Sequence, residues 1–206
     1  EAFRFMRSKR ITIAGIDATA LRVSFTGDLG WELYVHEDEQ AALYDALLEA
    51  GKDLNVRPVG SRALLSMRVE KGYGSWGREY SPEYWPQEVG LERLVKLDKP
   101  EFLGREAYIK LKDNPPREKL VLLEVEAKNA DASGGEPIFL SDGTPVGRVS
   151  SGTYGYTVGK SLALGFVATD KLDFDAAYDV AILGQSHPAR VLKEPPFDPT
   201  GARLRA

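Results

Sequence analysis

The sequence predicts an α+β protein whose second half is a small all-β barrel or sandwich. Three observations predict it. Residues 38–71 carry apolar side chains at helical spacing, a polar double-proline break follows at Lys112-Asp113-Asn114-Pro115-Pro116-Arg117, and beyond the break short strands alternate with turn signals. The break divides the chain into residues 1–113 and 114–206, and two small cores fit within 206 residues.

The first structured stretch reads as a β-hairpin, because residues 21–25 and 31–35 alternate apolar and polar around Thr26-Gly27-Asp28-Leu29-Gly30. Trp31, Leu33 and Val35 then point one way, and Glu32 and Tyr34 the other. Leu43, Ala46, Leu47, Ala50 and Leu54 predict a helix from Asp38 to about Leu54, with acidic residues in its first turn and Gly51 near its end. A second helix runs from Ser61 to Lys71, begun by Ser61 or Gly60 and stopped by Gly72. A third, shorter one runs from Glu101 to Leu111. After the break, strands are predicted at 120–125, 137–140, 146–150, 163–167, 179–183 and 189–192, with turns such as Gly134-Gly135 and Ser141-Asp142-Gly143 between them.

Composition narrows the function. With 43% apolar and 28% charged residues the chain is an ordinary globular protein rather than a disordered or fibrous one. Its net charge of −4, with neither sign gathered into a block, argues against nucleic acid as a partner. Zero cysteines exclude disulfides, thiolate chemistry and Cys-ligated metal, and His36 and His187 alone do not make a zinc site or a recognisable Ser–His pair. No apolar run approaches the roughly 18 residues that span a bilayer, so no membrane role is expected. The chain opens Glu1-Ala2-Phe3 without Met or a signal-like segment, from which we expect a piece of a longer protein.

Gly72-Tyr73-Gly74-Ser75-Trp76-Gly77 fits G-x-G-x-x-G, but it closes a helix where a dinucleotide fingerprint must open one, so it reads as a tight turn. Gly155-Tyr156-Thr157-Val158-Gly159-Lys160-Ser161 falls one residue short of a P-loop and reads as a barrel hairpin or loop. Glu32 is either a solvent-facing carboxylate or one lining a cavity, where it can take two N–H donors from a flat heterocycle. Arg68 is either a helix charge, an internal ion-pair partner or part of that site. Tyr73, Trp76, Tyr80, Tyr84 and Trp85 read first as packing under a long loop and second as an aromatic pocket lining.

Several segments, in order over nearly the whole chain, resemble the folate-binding aminomethyltransferase family, the T-protein of the glycine cleavage system and its relatives. They are Ser24-Phe25-Thr26-Gly27-Asp28-Leu29-Gly30-Trp31-Glu32-Leu33-Tyr34, Met67-Arg68-Val69-Glu70-Lys71-Gly72, Pro86-Gln87-Glu88-Val89-Gly90-Leu91, Lys99-Pro100-Glu101-Phe102-Leu103-Gly104-Arg105, and the barrel stretch from Gly147 to Gly165. The stretches around Trp31 and Ser75-Trp76-Gly77-Arg78-Glu79 look closer to versions fused behind an FAD-dependent dimethylglycine or sarcosine dehydrogenase.

The resemblance implies that residues 1–113 are part of a tetrahydrofolate-binding α+β domain and 114–206 its barrel companion. Tetrahydrofolate is the implied cofactor and a methylated amine the implied substrate. FAD is implied only upstream, in a flavin domain that with the other half of the folate domain would be this chain's partner. Carried over by position, Glu32 matches the carboxylate that holds the pterin ring and Arg68 a helix arginine at the folate site. Phe25 stands where the family has a pocket tyrosine, so one hydroxyl is lost. The family's acting Asp lies in the upstream half, so no catalytic residue is assigned here and the chain alone is expected to be inactive. The implied compartment is the cytoplasm in a bacterium and the mitochondrial matrix in a eukaryote. The rival readings are part of a stand-alone aminomethyltransferase and a non-catalytic folate-binding module.

Overall fold

A computed structural model describes residues 3–206. The chain forms two compact units, one of residues up to Leu65 together with Asp198–Ala206, the other Ser66–Phe197. The 112–117 break therefore lies inside the second unit.

The first unit holds a three-stranded antiparallel sheet in the order β1 (Ser8–Ile13), β2 (Ile16–Leu21), β3 (Glu32–Tyr34). Its β2–β3 pairing differs from the expected hairpin. Leu21 pairs with Glu32 and Thr19 with Tyr34, so residues 22–31 form the connection and the alternating stretch 22–25 pairs with nothing as a strand. Arg22, 6% exposed, faces inward instead and donates to the carbonyls of Phe3, Leu204 and Ala206, tying the two ends of the unit together. The β1–β2 hairpin, which the sequence reading missed, turns through Ala14 (φ 50°) and Gly15 (φ 84°). Ile16, Ala18 and Ala20 of β2 are buried, and the alternate residues face outward.

Helix α1 (Gln40–Ala50) is shorter than expected because one-turn 3₁₀ segments at Glu37–Glu39 and Lys52–Leu54 take its ends. Helix α2 (Ser61–Glu70) begins in the first unit and ends in the second. Gly72 stops it as predicted: at φ 70° it donates to Val69 O while Tyr73 donates to Arg68 O, satisfying the last carbonyls. The third helix, α3 (Arg105–Leu111), starts four residues later than expected, after Gly104 at φ 86°. A last short helix, α4 (Ala202–Arg205), is capped by the Asp198 carboxylate.

All six predicted strands of the second half are present: β4 (Glu118–Val125), β5 (Pro137–Leu140), β6 (Pro145–Gly155), β7 (Lys160–Ala168), β8 (Tyr178–Ile182) and β9 (Gln185–Leu192). They close into an antiparallel barrel in the order β4-β7-β6-β5-β8-β9. Val121, Leu123, Val149, Ala163, Val167 and Val191 are among the residues that fill its core. β4 and β7 are apolar on both faces because their outer residues Leu122, Leu162 and Leu164 pack with Val69 of α2. The P-loop-like stretch is the β6–β7 turn, held by Glu70 Oε1, which accepts from the N–H groups of Thr157 and Val158.

Candidate functional site

Two constellations carry the residues singled out in the sequence, one in each unit. In the first unit Glu32 and Tyr34 of β3 stand two apart, hence on the same face, opposite the half-buried Leu33. Both are exposed, and the Tyr34 hydroxyl donates to Glu32 Oε2 at 2.7 Å. That hydrogen bond and the carboxylate's charge push the Tyr34 phenol above its ordinary value. Tyr34 also lines a groove of about 400 Å³ on this sheet face together with Arg10, Thr12, Asp17, Thr19 and His36. Phe25 is half-buried in the β2–β3 connection. A larger open cleft, about 960 Å³, follows residues 100–110 and is lined by none of the predicted site residues.

In the second unit Arg68 is 1% exposed. Its Nη1 donates to Tyr73 O at 3.0 Å and Glu79 Oε2 at 3.2 Å, and its Nη2 to Ser151 Oγ at 2.8 Å. Glu79, 0% exposed, also accepts from the hydroxyls of Ser150 (2.7 Å) and Ser151 (2.6 Å) and from Ser75 N–H (2.8 Å). Burial pushes the Glu79 carboxyl up, but these hydrogen bonds and the Arg68 charge outweigh it and hold it below the usual carboxylate value. Burial draws Arg68 below its ordinary value against the pull of Glu79. The G-x-G-x-x-G segment is the loop this carboxylate gathers: Gly72 and Gly77 have positive φ, and Gly74 N–H donates to the Tyr80 hydroxyl. A side chain at Gly74 would meet Tyr80 and Glu79 at 2.7–2.8 Å, so the glycine serves close packing.

The two serines reach one carboxylate because β6 is bulged. Val149 pairs with Gly165 and Ser151 with Leu164, leaving Ser150 as the extra residue. In a regular strand neighbouring side chains point to opposite faces; the bulge lets both hydroxyls meet Glu79.

Two family models match consecutive parts of the chain: the GCVT N-terminal domain over residues 1–99 and the glycine cleavage T-protein C-terminal barrel domain over residues 118–198. The chain belongs to the glycine cleavage T-protein family. It is 37% identical to the mitochondrial dimethylglycine dehydrogenase of Mus musculus, across all of this chain and 24% of that protein. It is 34% identical to an aminomethyltransferase of Symbiobacterium thermophilum, across 93% of this chain and 51% of that one. The chain thus spans about a quarter of the dehydrogenase and half of the aminomethyltransferase. A crystal structure of the glycine cleavage system aminomethyltransferase T from Bartonella henselae shares the fold, with a TM-score of 0.84 at 24% identity over 96% of this chain and 54% of that one.

Within this T-protein architecture the structure puts Glu32 and Phe25 in one unit and Arg68 in the other. Sequence reasoning missed Glu79 and Ser150-Ser151, the partners of Arg68. An Arg and a Glu eleven residues apart across a glycine-rich turn hint at a pair, but nothing local marks the serines. The aromatic stretch divides: Tyr84 stacks on Phe166 with ring centres 4.1 Å apart, whereas Trp76 is 84% exposed. Among the described residues no cluster of His, Asp and Glu suits a metal ion, and no helix is long and apolar enough to cross a membrane.

Proposed function

We propose that this chain is the C-terminal tetrahydrofolate-binding portion of a dimethylglycine or sarcosine dehydrogenase-like protein that passes a one-carbon unit from an N-methylated amine to tetrahydrofolate. The carrying observation is the Glu32 carboxylate, exposed on the polar face of β3 and committed to the protein through one oxygen only. The open Oε1, with the remaining lone pair of Oε2, suits a pterin's two adjacent N–H donors, so the donor set fits the group. Similarity over the full chain to proteins named dimethylglycine dehydrogenase and sarcosine dehydrogenase supports the fused form. Tetrahydrofolate, when bound, supplies the nitrogens that take up the one-carbon unit; Glu32 binds and orients its ring. Arg68 belongs to the same reading as the helix arginine that the family places at its folate site, and in this structure its guanidinium is engaged with Glu79, Ser151 and Tyr73. Phe25 contributes apolar surface and no hydroxyl. FAD belongs to the same reading as the cofactor of an upstream domain that oxidises the amine.

In the full-length protein Glu32→Gln is expected to weaken 5-formyltetrahydrofolate binding about tenfold or more, since it removes the charge from charge-assisted hydrogen bonds of roughly 1.5–3 kcal/mol. Titration calorimetry reads this, and an unchanged affinity removes Glu32 from the site. The alternative is a stand-alone aminomethyltransferase, favoured by the Symbiobacterium relative. An open reading frame lacking a flavin-binding domain ahead of this chain would decide for it.

The division at residues 113 and 114 belongs to this proposal, supported by the double-proline break and by family models that stop at 99 and resume at 118. Limited proteolysis is then expected to cut first near residues 112–118. The pieces should stay together after cutting, because Arg117 pairs with the buried Glu88 and Leu120 N–H donates to Glu88 O. First cuts inside the barrel strands would count against the division.

A further inference from the structure

We propose that Tyr34 is a positioning residue for Glu32, its phenol holding the carboxylate in one orientation before a ligand with paired N–H donors arrives. This rests on the proposed role of Glu32 and adds a second residue of β3 to it.

The geometry on β3 is specific. Residues i and i+2 of a strand project from the same face, and here the Tyr34 hydroxyl donates to Glu32 Oε2 at 2.7 Å while Glu32 Oε1 has no hydrogen-bond partner among the described residues. An exposed glutamate ordinarily spreads over many rotamers, and freezing them when a ligand binds costs affinity. A phenol bonded to one oxygen makes that selection in advance and leaves the other oxygen open. Tyr34 is itself set by the sheet: Arg10 pairs with Thr19 and Thr19 with Tyr34, forming one row across β1, β2 and β3. The charged or titratable groups sharing its groove are Arg10, Asp17 and His36, so the phenol answers to these as well as to Glu32. Its upward displacement, caused first by the hydrogen bond to Glu32, agrees with a bond that persists at neutral pH.

The test is a double-mutant cycle in the full-length protein with 5-formyltetrahydrofolate as the probe. Tyr34→Phe is expected to weaken binding about threefold or more on the scale of one hydrogen bond. The same change in a Glu32→Gln background should cost much less, since the charged partner is gone. A second readout needs no ligand: 3-fluorotyrosine placed at position 34 should titrate at lower pH in the Glu32→Gln variant, with Arg10, Asp17 and His36 unchanged. Equal fluorine midpoints with and without Glu32 overturn the proposal. So does a Tyr34→Phe variant that binds like wild type while Glu32→Gln binds poorly, or two effects that simply add. Wild-type binding by Glu32→Gln instead overturns the function proposed for the site.

Discussion

Glu79→Ala is expected to destabilise the protein by about 3–5 kcal/mol, the range for removing one partner of a buried ion pair. Arg68 would remain, 1% exposed, with a charge that nothing compensates and with its Nε already lacking a partner. Ser150, Ser151 and Ser75 N–H would lose an acceptor at the same time. Urea unfolding followed by circular dichroism measures the change; a shift under about 1 kcal/mol would mean the cluster is incidental to the fold. The same carboxylate makes stability depend on pH. Its folded value lies below the ordinary 4.5, so its contribution is fully present above about pH 4.5 and is lost as pH falls through the folded value. A Glu79→Gln variant should show a shallower loss of stability below that pH than wild type. Identical acid profiles would contradict the assignment.

Gly147→Ala is expected to cost about 3 kcal/mol or more, at or beyond the upper end of ordinary overpacking. A Cβ on Gly147 would stand 2.0 Å from Phe166 O and 3.1 Å from Val167 Cα. The obstruction is the backbone of the paired strand β7, which no rotamer change relieves, and pushing it away breaks the barrel ladder. Gly143→Ala is the control. It sits at φ 84° with nothing within 4 Å, so only the left-handed backbone penalty of roughly 1–2 kcal/mol applies. Thermal melts of the two variants should separate clearly, and equal melting points would remove the steric argument.

The barrel was the more legible half of this chain. Strands such as Pro137–Leu140 announce themselves because turn residues on both sides fix their length and an apolar run between has nowhere else to go. The first unit misled at two places for opposite reasons. Arg22-Val23-Ser24-Phe25 alternates like a strand, yet Arg22 is held inward by carbonyls from distant residues, a tertiary contact that pattern does not carry. The β1–β2 hairpin escaped notice because Ala14 stands in the left-handed position where Asn or Asp usually signals such a turn. At the site, the outward face of Glu32 and Tyr34 followed from alternation alone. The surroundings of Arg68 did not: its partners depend on a bulge at Ser150, and a one-residue slip in ladder pairing leaves no mark on composition or period.

Barrel closure sets an order on folding. β6 and β7 are joined by a short turn and can pair as soon as both exist, but the ring is sealed only where β4 meets β9, at pairs such as Leu123 with Val191 far apart along the chain. During synthesis β4 emerges first of the six and waits for the last. Until Leu192 has left the ribosome, the run Leu120-Val121-Leu122-Leu123 lacks a neighbour on one edge. The nascent chain therefore carries a doubly apolar strand that is unpaired until β7 is made and open on one edge until β9 follows, the interval in which a chaperone has most to cover.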